Sequence, residues 1–160
     1  MRLAILYASK YGATRSVAET IADGCRDEGI ETSVVEIGKS TPVPDADVVL
    51  VGAPVYAGSI PGRVRRFLEQ NTESLTQVRL GLFLCCLYSG TRAEQQLADS
   101  VPARLLAHSF TRRYVGGRID FDSLRFCDRQ IMKRVGGIDH SVDTISNEAI
   151  RRIMADVMNR

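Results

Sequence analysis

The stretch of sequence that decides the fold is RLAILYASKYGAT, residues 2–14. Its first part, residues 2–8, is a short apolar run that ends in a polar, glycine-containing turn, a pattern typical of a buried strand. In residues 14–28 the apolar side chains recur at helical spacing, and Gly29 follows as a stop signal. The stretch therefore predicts a strand, a short turn and a helix, which together open a βαβ unit.

The rest of the chain repeats this alternation. Apolar runs predict further strands at residues 32–37, 47–53, 79–87 and 114–118, and helical periodicity predicts helices at 62–74, 91–107, 121–135 and 147–158. Strands that are apolar on both faces indicate a parallel sheet with helices on each side. We therefore expect one α/β domain over residues 1–160, with a doubly wound five-stranded parallel sheet in the order 2-1-3-4-5 and three α/β/α layers. In that order the ligand crevice lies at the carboxyl ends of the strands, between the first and the third.

Composition and charge exclude several classes of protein. The chain has 160 residues and a formal net charge of +2, which is too mild to indicate a nucleic-acid partner. No apolar run reaches the roughly 18 residues that span a bilayer, and the opening residues do not resemble a signal peptide, so a cytoplasmic protein is expected. The cysteines and histidines show no metal-ligand spacing, so we expect no metal site and reduced structural thiols.

The turn at residues 9–14 has the composition of an anion site. A helix N-terminus offers unpaired N–H groups and a partial positive charge, Ser9 and Thr14 add hydroxyl groups, and Gly12 permits a close backbone approach. The P-loop pattern and the glycine pattern of dinucleotide-binding proteins are absent, and so are the acidic residues of a phosphoacceptor receiver domain. These residues favour a phosphate monoester site, and the alternative is a simple turn in which Thr14 caps the helix.

The same residues carry a resemblance to a known family. Residues 5–14, followed by Ala18 and Ile21, resemble the N-terminal signature of the flavodoxins, in which this loop holds the phosphate of FMN. The resemblance implies a flavodoxin-like fold with non-covalent FMN between the first and third strands. It assigns the phosphate to Ser9, Lys10, Tyr11, Gly12, Ala13 and Thr14.

Two further loops are expected to flank the flavin ring, which needs a stacking surface and a few backbone hydrogen bonds. The resemblance assigns this role to Pro54, Val55, Tyr56, Ala57 and Gly58 after the third strand, and to Leu87, Tyr88, Ser89 and Gly90 after the fourth. Tyr56 and Tyr88 are the expected stacking residues. The alternatives are a long turn with an exposed Tyr56, and a Tyr88 that belongs to the core or the surface.

A second resemblance concerns the reaction. Residues 52–58 and the tail between residues 126 and 143 are similar to the quinone-dependent protoporphyrinogen IX dehydrogenases, which are flavodoxin-fold enzymes. It implies an FMN-dependent oxidoreductase of porphyrin biosynthesis that passes electrons to a quinone such as menaquinone, with no side chain acting as a catalytic acid or base. One alternative is an electron carrier of the flavodoxin type that serves a redox protein. A second alternative is a non-redox interaction module on the same fold.

The tail of the chain is basic. Residues 104–134 contain eight Arg and Lys residues and three Asp, a balance of +5. In the predicted 121–135 helix, Arg125, Arg129 and Lys133 form one stripe, and an apolar stripe is formed by Leu124, Cys127, Ile131 and Val135. Such a helix suggests peripheral contact with the inner face of an anionic membrane, and the alternative is a core-packed helix with a solvated basic face.

Overall fold

Five parallel strands form the centre of the molecule in the computed structural model, which describes residues 1–56, 58–87 and 90–159 apart from the side chains at 135 and 136. The strands are β1 (Arg2–Tyr7), β2 (Glu31–Glu36), β3 (Val48–Pro54), β4 (Arg79–Cys85) and β5 (Thr111–Tyr114). They lie in the order β2-β1-β3-β4-β5, and every pairing is parallel. The predicted fold class and strand order are confirmed.

The central strands are apolar on both faces because helices cover each side. Alternate residues of β1 point to opposite faces: Leu3 and Ile5 pack into one core, and Ala4 and Leu6 into the other. One core receives α1 (Ala13–Asp27) and α7 (Asn147–Met158). The other receives α2 (Gly62–Gln70), α3 (Thr72–Leu75), α4 (Thr91–Ser100) and α5 (Ala103–His108).

The fifth strand begins earlier than the sequence predicted. It spans Thr111–Tyr114 instead of residues 114–118, in register with Gly81–Leu84 of β4. Val115 still donates a backbone hydrogen bond to Leu84, and the chain then turns at Gly116, where φ is +79°. The apolar pattern predicted a strand that reaches too far along the chain, because Val115 is buried although it follows the last residue of β5.

The predicted 121–135 helix is wrong as a single element. The chain there forms a short strand β6 (Arg118–Ile119), a 3-10 turn (Phe121–Ser123), α6 (Phe126–Ile131), a π turn (Met132–Gly136) and a strand β7 (Val142–Asp143) that pairs antiparallel with β6. Leu124 and Arg125 are extended, because Leu124 is drawn into a small third core with Phe121 and Met132. We call residues 116–145 the cover segment.

The apolar stripe predicted for that helix is also partly wrong. Cys127 is exposed, whereas the other three cysteines are buried. Leu124 is buried as predicted, but the break in the helix before Phe126 shifts the phase, so that Met132 faces inward instead of Cys127. The side chain of Val135 lies outside the described residues.

Over the described part of the chain, no helix has both the length and the apolar character needed to cross a membrane.

Candidate functional site

An open crevice of about 250 Å³ lies at the carboxyl ends of β1, β3 and β4. This is the position that the strand order predicted, and the volume is near the lower end of small-molecule sites, about 300 Å³. Ten of the residues assigned from the sequence line it: Ser9, Lys10, Tyr11, Ala13, Thr14, Pro54, Val55, Tyr56, Gly58 and Leu87. Ala57, Tyr88 and Ser89 lie outside the described residues.

One end of the crevice is the turn between β1 and α1. Gly12 is the N-cap of α1 in the left-handed conformation, with φ +92°, and its N–H donates to Ser9 Oγ over 3.0 Å. The first intrahelical bond runs from Ser16 N–H to Gly12 O. The N–H groups of the first helical turn therefore have no acceptor within the helix, and they carry the positive end of its dipole. An anion bound at this turn would be stabilised by bare amides.

Thr14 supplies a buried polar atom at this end. Its side chain is fully buried and lines the crevice, and its Oγ1 has no oxygen or nitrogen hydrogen-bond partner among the described residues. The Cys85 thiol, a weak hydrogen-bonding group, lies beside it. Leaving a buried hydroxyl unpaired costs about 1–3 kcal/mol, so this hydroxyl is suited to a ligand oxygen. The alternative interpretation, in which Thr14 caps the helix, is wrong, because Thr14 lies inside α1 and Gly12 occupies the cap position.

The other end of the crevice is formed by the loop after β3. Tyr56 and Ser59 close a tight turn through two backbone hydrogen bonds of 2.9 and 3.2 Å, and Gly58 at its tip has φ +82°. The Tyr56 ring is half-buried, not exposed as the alternative reading of this loop required, and its hydroxyl is buried without a partner in the described chain. Burial, together with the nearby Asp128 carboxylate, raises the pKa of Tyr56.

The loop after β4 contributes the floor. Leu87 lines the crevice next to the buried Cys85 and Cys86. Burial raises the pKa of Cys85 to about 12, so it remains a thiol at neutral pH. Gly90 is the N-cap of α4, with φ +62°, and it does not line the crevice.

The cover segment forms a wall of the crevice that sequence reasoning missed. Leu124 and Met132 of the third core pack with Tyr56 and Leu87 from the two ring loops. The residues of this segment that line the crevice are Gly117, Arg118, Ile119, Leu124, Ile131, Met132 and Ile138. The sequence gives no local signal for this wall, because its contacts join parts of the chain that are far apart in sequence. The apolar end of the crevice is therefore enclosed by three parts of the chain.

Asp128 of α6 ties the cover segment to the turn after β1. Its buried carboxylate accepts a hydrogen bond from the Tyr11 hydroxyl and lies 3.0 Å from Lys10 Nζ. Lys10 Nζ also stands 4.2 Å from the centre of the Tyr56 ring, within cation–π range. The Tyr11 hydrogen bond, with help from Lys10, holds the pKa of Asp128 below its ordinary value. The Asp128 carboxylate thus links the cover segment directly to the turn after β1, and through Lys10 to Tyr56 at the other end of the crevice.

This tie predicts an acid-sensitive contribution to stability. Because the folded pKa of Asp128 is depressed, its contribution is complete above the ordinary Asp pKa of about 3.8 and is lost as the pH falls through the folded value. We expect Asp128→Asn to lower the free energy of unfolding by about 1.5–3 kcal/mol at pH 7 and by less as the pH falls below the ordinary Asp pKa of about 3.8. Urea unfolding at a series of pH values measures this difference.

The matched control for this prediction is Asp122→Asn, because Asp122 is exposed and its carboxylate has no ion-pair partner among the described residues. It should change the free energy of unfolding little at either pH. An Asp128→Asn effect that stays constant from pH 7 to pH 3 would show that the ionised carboxylate contributes nothing.

The residues present fit a phosphorylated flavin. The unpaired Thr14 hydroxyl and the amides after Gly12 provide donors at one end. Apart from its chain neighbours, no described residue lies within 4 Å of the place where a Cβ on Gly12 would stand. The other end is lined by Tyr56 and by aliphatic side chains. A ligand with a phosphate at one end and a flat apolar ring at the other matches both.

Comparison with known proteins agrees with this geometry. A family model described as a flavodoxin domain matches residues 4–143. Flavodoxin FldP of Pseudomonas aeruginosa (strain UCBPP-PA14) is 34% identical over 73 residues, covering 41% of this chain and 37% of that protein. The chain spans between about a fifth and about a half of the length of the curated relatives it matches.

Solved structures show the same fold. The Streptococcus pneumonia TIGR4 flavodoxin has a TM-score of 0.56 at 19% identity, over 99% of this chain and 96% of that chain. A short-chain flavodoxin associated with a PDU bacterial microcompartment has a TM-score of 0.60 at 17% identity, over 99% and 95%. Because the family model covers most of its length, the chain belongs to the flavodoxin domain family, whose members bind FMN.

Proposed function

We propose that this protein is an FMN-dependent electron carrier of the flavodoxin type, which takes electrons from a reductase and passes them to a redox protein. One observation supports the proposal: a single crevice of about 250 Å³ joins a turn with unpaired donor groups, suited to a phosphate, to an apolar slot. Residues 9–14 would hold the phosphate, and Tyr56, Leu87 and Met132 would border the ring. The bound flavin would supply the redox chemistry.

Four titratable groups at the crevice are unsuited to acid or base catalysis, so redox chemistry there would be the flavin's own. A general acid or base works best with a pKa near the operating pH. Here the pKa of Tyr11, of Tyr56 and of Cys85 is raised, so these groups keep their protons at pH 7. The pKa of Asp128 is lowered, and its carboxylate is engaged by Lys10 and Tyr11. None of these four groups is poised to exchange a proton near neutrality.

Protoporphyrinogen oxidation with a quinone acceptor is the weaker alternative. The relatives reported above are named as flavodoxins, and none of those reported is named for porphyrin chemistry. Peripheral membrane contact belongs to the same alternative. The unpaired Thr14 hydroxyl disfavours a non-redox module. Buried polar groups normally have a hydrogen-bond partner, and a bound ligand would supply one here.

Stopped-flow mixing tests the proposal. FMN-loaded protein is reduced anaerobically with dithionite, freed of excess reductant and mixed with a ferric haem protein. The reduced flavin holds two electrons, so we expect two ferric haems to become ferrous for each flavin oxidised. Reoxidation by dioxygen without haem reduction would contradict the carrier role, and turnover of protoporphyrinogen with menaquinone would replace it by the enzyme.

Arg63 should tune phosphate binding without touching the ligand. Arg63, near the start of α2, donates from Nη2 to Ser9 O over 3.2 Å and to Glu36 Oε1 over 3.0 Å. It therefore stabilises the turn after β1. We expect Arg63→Met to weaken FMN affinity by about fivefold, since one hydrogen bond contributes about 1 kcal/mol. Fluorescence titration measures it. Arg66→Met on the same helix is the control and should bind FMN as the wild type does.

A further inference from the structure

The charged side chains that line the crevice all have the same sign. Lys10, Arg92 and Arg118 line it, and no Asp or Glu is found among its described lining residues. Lys10 lies 3.0 Å from the Asp128 carboxylate, and Arg118 lies 2.9 Å from that of Asp143. Neither of these two acids lines the crevice. Both ion pairs therefore present their positive member to the cavity and keep their negative member behind it.

The side chain of Lys10 reaches from one end of the crevice to the other. Its backbone belongs to the turn after β1, whereas its Nζ lies 4.2 Å from the centre of the Tyr56 ring in the loop after β3. Asp128 holds the ammonium there, and the Asp128 carboxylate is itself buried and bound by the Tyr11 hydroxyl. The ammonium therefore lies next to a residue that we propose borders the flavin ring, away from the amides of α1.

Reduction of a flavin changes the charge of its ring. The oxidised ring is neutral at pH 7. It takes two electrons from the reductase and one proton from solvent at N5, so the reduced ring carries one negative charge. The phosphate is present in both states and does not distinguish them. A cation beside the ring therefore favours the reduced state, because charges attract more strongly where water is excluded.

We infer that the crevice binds reduced FMN more tightly than oxidised FMN, and that the Lys10 ammonium contributes to this preference at the ring end. The inference rests on the proposed function. Tighter binding of the reduced form raises the midpoint potential of bound flavin above that of free FMN. Burial of a charged ring acts in the opposite direction, and the three cations outweigh it because no described acid faces them across the cavity. The protein then accepts electrons from a reductant too weak to reduce free FMN.

An anaerobic redox titration of the FMN-loaded protein at pH 7, against a reference dye, tests the preference itself. Free FMN is titrated under the same conditions. For a two-electron couple, a tenfold preference for the reduced form corresponds to about 30 mV. We expect the midpoint potential of the bound flavin to lie above that of free FMN by at least this amount. A bound midpoint potential at or below that of free FMN overturns the inference.

Substitutions test the part played by Lys10. Lys10→Met should lower the midpoint potential by about 30 mV, which is a tenfold loss of affinity for reduced FMN relative to oxidised FMN. Lys10→Arg keeps the charge and should stay close to the wild type. Lys39→Met is the matched control, because Lys39 is exposed and does not line the crevice. Equal midpoint potentials for Lys10→Met and Lys39→Met would overturn the role of Lys10.

Flavin affinities separate this role from phosphate binding. If the ammonium serves the ring, Lys10→Met should change the affinities of the apoprotein for oxidised FMN and for riboflavin by the same factor. Fluorescence titration measures both. A loss of affinity for FMN alone, with an unchanged midpoint potential, would assign the Lys10 ammonium to the phosphate and overturn the inference.

One further pair of variants covers a failure of Lys10→Met to bind flavin, since that variant leaves the buried Asp128 carboxylate without its cation. The double variant Lys10→Met/Asp128→Asn is then compared with Asp128→Asn alone. The double variant should have the lower midpoint potential, and equal values overturn the role of Lys10. Wild-type protein that binds no FMN would instead remove the proposed function. Wild-type protein that reduces haem proteins at a midpoint potential below that of free FMN would remove only this inference.

Discussion

Replacing Thr14 by Val will lower the affinity for FMN by about 10-fold to 100-fold while leaving the affinity for riboflavin unchanged. Thr14 Oγ1 is buried at the N-terminal turn of α1 and has no oxygen or nitrogen partner among the described residues. A hydrogen bond to a charged group contributes about 1.5–3 kcal/mol, and 1.4 kcal/mol is a factor of ten. Riboflavin lacks the phosphate, so it cannot lose this bond. Fluorescence titration of the apoprotein measures both ligands.

The same variant makes a second, unusual prediction for the apoprotein. Val has the shape of Thr without the hydroxyl, so the substitution removes an unpaired buried polar atom, and the free energy of unfolding should stay equal or rise. Thr20→Val on the exposed side of α1 is the control, because the Thr20 hydroxyl donates to Ser16 O away from the crevice. A Thr14→Val protein that binds FMN normally would show that the phosphate does not reach this hydroxyl.

Replacing Gly116 by Val will detach the cover segment. At Gly116 φ is +79°, and a Cβ there would overlap the backbone carbonyl of Thr144, which cannot rotate away as a side chain could. Backbone strain of about 1–3 kcal/mol and overpacking of a similar size give an expected loss of about 2–5 kcal/mol from the free energy of unfolding. Urea unfolding measures this loss, and trypsin should cleave after Arg125 and Arg129 much faster in the variant.

Gly137→Ala separates the clash from the strain. Gly137 also has a positive φ, +62°, but nothing lies within 4 Å of its Cβ position. The Gly137→Ala variant should therefore lower the free energy of unfolding only by the cost of the backbone strain, about 1–2 kcal/mol. Detachment of the wall should weaken riboflavin as well as FMN, because the segment lines the ring end of the crevice. FMN should lose at least as much, since Asp128 of the segment also holds Lys10 and Tyr11 at the phosphate end. Unchanged riboflavin affinity in Gly116→Val would mean that the cover segment is not part of the flavin site.

The strand order and the position of the crevice could be predicted from the sequence, because both depend on local patterns. The apolar runs of β1, β3 and β4 are continuous, and parallel strands joined by helices leave their carboxyl ends at one edge. The turn at residues 9–14 was identified in the same way, from one glycine and two hydroxyl residues in sequence. Gly12 does adopt the left-handed conformation there.

The wall of the crevice could not be predicted, because non-local contacts determine it. Leu124 breaks the predicted 121–135 helix by packing against Phe121 and Met132, near Tyr56 from a loop more than sixty residues earlier. Asp128 shows no special signal in sequence, since its role depends on meeting Lys10 and Tyr11. Thr14 was identified as a functional residue, and the alternative that helix-cap preference offered for it is wrong, because Gly12 takes the cap position.

The most direct test of the account is a paired titration of the apoprotein with FMN and with riboflavin. The N–H groups at the start of α1 and the Thr14 hydroxyl are the proposed donors to the phosphate dianion of FMN. FMN should therefore bind at least about 100-fold more tightly than riboflavin. Bound FMN should also turn the protein yellow. Equal affinities for the two flavins, or no binding of either, would contradict a phosphate site at this turn.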